Sequence, residues 1–163
     1  MKGDSMKRFI CVLLILCLVP LWAFCVSDSD AMIETHNIYC GFCGASKIDS
    51  SAKVRTTDEA TEYAYYITDK VVVEYHVKNG EVFRMACVCL DESEIGEFLA
   101  QCVTICYVLG GVSSGTVCYD GVLYRYLLAR AGNEPEIDPS IPGLLIDLSK
   151  QTFGYLFIAD VVE

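Results

Sequence analysis

Seven cysteines lie beyond residue 25 of this 163-residue chain: Cys40, Cys43, Cys87, Cys89, Cys102, Cys106 and Cys118. All seven are disulfide candidates, and an odd number leaves at least one thiol free or joined to another chain. The sharpest spacing is Tyr39-Cys40-Gly41-Phe42-Cys43-Gly44. Two cysteines separated by two residues can close a strained, reducible disulfide or offer two thiolates to one metal ion. Redox catalysis needs the first thiol at a helix N-terminus, where the backbone stabilises its thiolate. Here a polar stretch follows Ala45, without the apolar spacing of a helix. The pair is therefore expected to be a structural CxxC turn, with thiols titrating near the ordinary value of about 8.5.

Metal binding is the alternative use of the same residues. Cys40-Gly41-Phe42-Cys43-Gly44 resembles one knuckle of a zinc ribbon, with His36 four residues upstream. That resemblance implies Cys40, Cys43 and His36 as metal candidates and zinc as the ion. A closed tetrahedral site needs four ligands, and no second knuckle is present. Cys87-Val88-Cys89 has strand spacing instead, which points both thiols to one face. Cys102 and Cys106 are four apart, so they share one face of a helix. Both faces are expected to meet in the core, as buried thiols or with one strand-to-helix bridge.

No catalytic residue is marked. His76 stands beside Glu74 on a solvent-side strand position, with no nucleophile set by spacing. Ser113-Ser114-Gly115 reads as a turn. The chain holds no phosphate-binding glycine loop and no zinc-protease helix motif. Tyrosine is abundant, at ten residues. Alternating tyrosines cover a half-buried sheet, and exposed ones can contact protein or carbohydrate.

The N-terminus bears on location. Lys2, Lys7 and Arg8 precede an uncharged apolar run from Phe9 to Val26. Basic residues before an apolar core form the layout of a secretory signal, with cleavage expected after Cys25. An uncleaved membrane anchor is the alternative, since 18 residues approach the length of a span. Loss of Lys2, Lys7, Arg8 and Asp4 takes the net charge from -10 to -12. Nine scattered Lys and Arg then remain, so nucleic acid is not an expected partner. A membrane is met only through the N-terminal segment, if it stays uncleaved.

These residues need elements to carry them. Val71, Val73, Tyr75 and Val77 alternate with outward residues, and alternation resumes through Met85, Cys87 and Cys89. Asn79-Gly80 between the runs is a hairpin signal. A three-residue loop, Lys78-Asn79-Gly80, sets Tyr75 opposite Phe83, Val73 opposite Met85 and Glu74 opposite Arg84. Tyr63, Tyr65 and Ile67 add a third strand, turning near Asp69. Asp91 with Glu94 forms a capping pattern for a helix over about 92–109. Gly110-Gly111 ends it, and a second helix spans about 117–131 with Gly132 as its stop. Pro135, Pro139 and Pro142 make a loop. Leu144, Ile146 and Leu148 start a C-terminal hairpin that returns through Tyr155, Phe157 and Ala159.

The sequence predicts an α+β fold. An antiparallel sheet, built from a meander near 63–90 and the hairpin 144–162, carries two helices on one face. Residues 1–25 are a signal peptide or membrane anchor. Residues 26–61 are a polar lead-in with the CxxC turn, and 62–163 form a single domain. The expected function is that of a secreted or cell-surface acidic domain that binds protein or carbohydrate and is not an enzyme. No cofactor is expected. The alternative is a thiol-redox or zinc-binding protein built on Cys40 and Cys43.

Overall fold

The computed structural model describes residues 29–49, 51–133 and 143–162, without the side chains of 29, 30 and 112–119. The expected signal segment, the proline loop and the Cys118 side chain lie outside the described residues. Among the described residues, no helix is long and apolar enough to cross a membrane.

The chain is α+β. Helix α1 (Ser29–Cys43) comes first, then strands β1 (Lys53–Thr56), β2 (Thr61–Tyr66), β3 (Val71–Lys78) and β4 (Glu81–Cys89). A single 3-10 turn (Glu92–Glu94) leads into helix α2 (Ile95–Arg130), and β5 (Leu144–Gln151) and β6 (Gly154–Val161) follow. The six strands form one antiparallel sheet in the order β1-β2-β3-β4-β6-β5. β6 therefore sits between β4 and β5, and α2 carries the chain from β4 toward the far edge.

Period-two patterning explains the inner face. Tyr65, Val71, Val73, Tyr75, Met85, Cys87, Cys89, Leu144, Ile146, Leu148, Tyr155, Phe157 and Ala159 are all buried in one cluster. Phe98, Cys102, Ile105, Cys106, Val122, Tyr126 and Ala129 of α2 pack onto it. Asp91 caps the helical entry, its side chain accepting from the Ser93 amide at 2.9 Å. The expected break at Gly110-Gly111 is a kink: Gly111 has φ 73° and ψ -176°, and helix resumes directly after it. The second arm thus starts earlier than residue 117.

The β3–β4 register departs from expectation. Lys78 pairs with Glu81 and Val77 with Val82, so the loop is the two-residue Asn79-Gly80. The register then shifts, and His76 faces Arg84, Tyr75 faces Met85 and Val73 faces Cys87. Phe83 is the extra residue of a β-bulge. A straight two-residue hairpin would mix the faces beyond the turn; the bulge restores them. Val77 and Val82 pack against the core on the turn side, and Tyr75 and Met85 are buried beyond it. The expected pairs Tyr75–Phe83, Val73–Met85 and Glu74–Arg84 do not form.

Asn79 (φ 55°) and Gly80 (φ 83°) are both left-handed, the requirement of a type I′ turn. Gly80→Ala is expected to cost about 1 kcal/mol, read as a lower denaturant midpoint with an unchanged slope. A Cβ there meets no atom within 4 Å, so the cost is one of backbone conformation alone.

The largest departure is α1. The stretch expected as a polar lead-in with a CxxC turn is a 15-residue helix. Met32, His36 and Cys40, four apart, are its buried stripe. Residues 53–56, within the same expected lead-in, form the edge strand β1.

Candidate functional site

Cys40 and Cys43 occupy the last turn of α1, not a free turn. Gly44 leaves the helix with φ 70°, and the Ala45 amide donates back to the Cys40 carbonyl at 3.1 Å. This is the negative end of the helix, which opposes a thiolate. Cys40 is fully buried and its thiol donates to the Ser46 carbonyl oxygen at 3.3 Å. Burial, then the Glu97 carboxylate and Cys43, push the Cys40 thiol up to about 12. The expected ordinary titration is corrected for Cys40: it stays protonated at neutral pH.

His36 faces the same interior. Its Nε2 lies 2.9 Å from Gln101 Oε1. Gln101 Nε2 donates to the Ser46 carbonyl and to Glu97 Oε1, both at 2.8 Å. Two acceptors on the nitrogen fix the amide orientation, so Oε1 must accept and His36 Nε2 must carry the proton. Ser46 closes the network, its amide and hydroxyl each donating to Glu97 at 2.9 Å. Asn37 pins the same loop, donating to the Ile48 carbonyl at 2.9 Å and accepting from its amide at 2.7 Å. His36 Nδ1 and Tyr75 Oη are buried without hydrogen-bond partners among the described residues. The two rings meet edge to face at 5.9 Å. Burial lowers the His36 pKa from 6.5 to about 4, against a smaller opposing effect of Gln101.

This geometry does not suit zinc. The Cys40 thiol is turned to Ser46 and the protonated His36 nitrogen to Gln101. Among the described residues, no three His, Cys, Asp or Glu side chains gather as a metal site. His36, Cys40 and Gln101 instead bolt α1 and the 44–48 loop onto α2. Sequence reasoning missed Gln101 and Glu97. The available signal was a polar Gln101 three residues after Phe98 and four before Ile105, on the face that α2 buries.

Four more cysteines gather in the core. Cys87 and Cys89 of β4 and Cys102 and Cys106 of α2 are fully buried, as expected. The six described cysteines carry no disulfide. The Cys89 thiol donates to the Asp91 carbonyl at 3.1 Å, and burial, followed by the neighbouring cysteines, pushes the Cys102 thiol well up.

The opposite face of the sheet carries none of the described helices. His76 lies there, 3.7 Å from Glu74 and 3.9 Å from Glu62, with its ring edge-on to Phe83. Arg84, opposite His76, forms a two-pronged ion pair with Asp160 on β6, at 2.6 and 3.1 Å. The pairing aligns Arg55, Glu62, His76, Arg84 and Asp160 in one row across five strands. A second row runs through Tyr66, Val72, Val88 and Leu156. Of the tyrosines, Tyr65, Tyr75 and Tyr155 are core residues, while Tyr66 and Tyr124 are exposed.

The chain matches no known family model, no curated protein and no solved structure.

Proposed function

We propose that this chain is an exported, non-enzymatic domain that binds a protein surface through the open face of its sheet. The observation that carries this reading is the sorting of side chains between the two faces. Groups able to do chemistry (Cys40, His36, Cys87, Cys102) are sealed from solvent. The row Tyr66, Val72, Val88 and Leu156, with Tyr66 exposed and Val72 buried, faces away from the described helices, separated from the row of mixed charge by Ala64, Glu74, Ala86 and Ile158. An apolar strip that shares its face with both signs of charge suits a protein partner. The mixed charge supplies orientation more than affinity, because such pairs are screened by salt. The basic-then-apolar N-terminus supports export.

Retention of the purified mature domain on intact source cells tests the reading. The double variant Val88→Lys/Leu156→Lys, with unchanged circular dichroism, is expected to lose at least tenfold in retention. Equal retention by both proteins would overturn the assignment of the face. Thiol-exchange turnover by the wild type, abolished in Cys40→Ser, would overturn the non-enzymatic reading.

A further inference from the structure

We propose that the outer edge of β1 receives an extended segment of a partner protein that carries an acidic residue on each side of an apolar one. The inference goes beyond the open-face reading and does not rest on it, because it uses the edge of the sheet and the residues of β1.

β1 ends the sheet, with β2 as its one strand neighbour among the described residues. The ladder tells which of its backbone groups are already used. The Thr57 amide donates to the Ala60 carbonyl at 2.9 Å. Pairing continues from there without a shift: Thr56 with Thr61, Arg55 with Glu62, Val54 with Tyr63 and Lys53 with Ala64. Antiparallel ladders alternate between hydrogen-bonded and non-hydrogen-bonded pairs. Thr57 and Ala60 are a bonded pair, so Arg55 and Lys53 also turn their N–H and C=O toward β2. Val54 and Thr56 turn theirs outward. All four residues of β1 are exposed. The edge therefore offers the N–H and C=O of Val54 and Thr56 at strand spacing, which is what strand addition requires.

Side chains decide which kind of strand fits. Lys53 and Arg55 share the open face with Glu62 and Glu74, whereas Val54 continues the inner row of Tyr63 and the buried Tyr75. β1 is the one described strand whose charged residues are all cationic, in a chain of net charge -10. Arg55 meets Glu62 at 3.8 Å yet keeps 78% of its side-chain surface in solvent. Lys53 Nζ lies 4.2 Å from the centre of the Tyr66 ring, a contact that holds the ammonium without neutralising it. Val54, between the two cations, is 59% exposed. An antiparallel strand with an apolar residue opposite Val54 lengthens the inner row. Its two adjacent residues then fall opposite Lys53 and Arg55, where carboxylates pair with them.

The same charges reject a second copy of β1. Two such strands, bonded antiparallel through their outward groups, set Val54 opposite Val54 or opposite Thr56. The first register places Lys53 against Arg55, and the second places Arg55 against Arg55. Like charges directly opposite are destabilising. Charge on an edge guards against uncontrolled pairing. Here it flanks an uncovered valine, so it selects among partner strands by their charge.

Amide NMR of the labelled domain, titrated with two capped peptides, tests the proposal. One peptide is Thr-Thr-Glu-Val-Glu-Thr, and the other has lysine in place of both glutamates. With the acidic peptide, shift changes are expected to centre on residues 52–57. The Val54 and Thr56 amides should gain protection from exchange, while those of Lys53 and Arg55, already bonded to β2, change little. The lysine peptide is expected to bind about tenfold more weakly or worse, and Lys53→Glu/Arg55→Glu should reverse the preference. Val54→Pro removes an outward N–H, leaves the bonds to β2 in place, and should weaken the acidic peptide about tenfold. Equal affinity for the two peptides, no binding of the acidic one, or shifts centred on another surface would overturn the proposal. Protection of Val54 and Thr56 that rises with protein concentration, without peptide, would overturn it in favour of a second copy. The peptide titration reads β1 and the cell-retention test reads Val88 and Leu156, so the edge and the open face can fail separately.

Discussion

Gly154→Ala is expected to destabilise the domain by about 3 kcal/mol or more, the largest effect expected of a methyl group added at any of the described glycines. Gly154 opens β6 directly after the Thr152-Phe153 turn. Its φ is 139°, a region that side-chain-bearing residues avoid. A Cβ built there would overlap the Cys89 carbonyl oxygen, and would lie 3.0 Å from the carbonyl carbon and 3.2 Å from Leu90 Cα. All three atoms are backbone, so no rotamer change can make room. β6 would have to shift away from the end of β4, loosening the pairing of Cys89 with Tyr155. Tyr155 is itself committed: it is buried, meets the Tyr126 ring edge to face at 5.2 Å and donates to Glu92 at 2.9 Å. Gly80 is the internal control. It is also left-handed but has open space around it, so its alanine variant carries only the conformational part of the cost. Denaturant midpoints for the two variants measure the difference. A Gly154→Ala cost no greater than that of Gly80→Ala would show that β4 and β6 do not approach as described.

The contrast between these glycines matches what the sequence made legible. Alternation at 71–77 and 85–89 marked the central strands, and Asn79-Gly80 marked their turn. The two-faced constraint gave the parity of the pairing, because an apolar face must stay inward. It could not give the offset, because a three-residue loop and a two-residue loop with a bulge at Phe83 both satisfy that parity. Helix α1 escaped notice because its buried stripe, Met32, His36 and Cys40, contains a histidine whose partner lies 65 residues away. A sequence window sees His36 as polar, whereas the fold sees it satisfied by Gln101. The same blindness hid the network itself. Glu97 and Gln101 lie on a helix of which the sequence shows only the apolar period. Each acquires its role from Ser46, on a loop with no periodic pattern. Long-range polar partnerships leave no local period, whereas strands and long apolar faces do.

His36 also gives the domain a defined weakness to acid. In the folded chain burial holds its pKa at about 4, against 6.5 for the unperturbed group. The unfolded chain therefore takes up a proton near pH 6.5, while the folded chain resists until about pH 4. The stability tied to neutral His36 is complete above about pH 6.5, falls as pH drops through that window, and levels off below about 4. The full loss is about 3 kcal/mol, with about 2 kcal/mol of it between pH 7 and pH 5. The groups facing the ring explain the direction. Gln101 Oε1 already takes the Nε2 proton, Nδ1 meets no acceptor among the described residues, and the Tyr75 ring packs edge-on. The Glu97 carboxylate is linked to His36 through the Gln101 amide and also accepts from Ser46. A second proton on the imidazole would therefore gain no partner while placing a charge in the core. His36→Gln keeps a donor for Gln101 and does not titrate. Urea midpoints for wild type and His36→Gln at pH 7 and pH 5 isolate this group from the surface carboxylates, which both proteins share. The wild type is expected to lose about 2 kcal/mol more than the variant over that interval. Parallel losses would assign the acid sensitivity to the carboxylates and show that His36 accepts its second proton without cost.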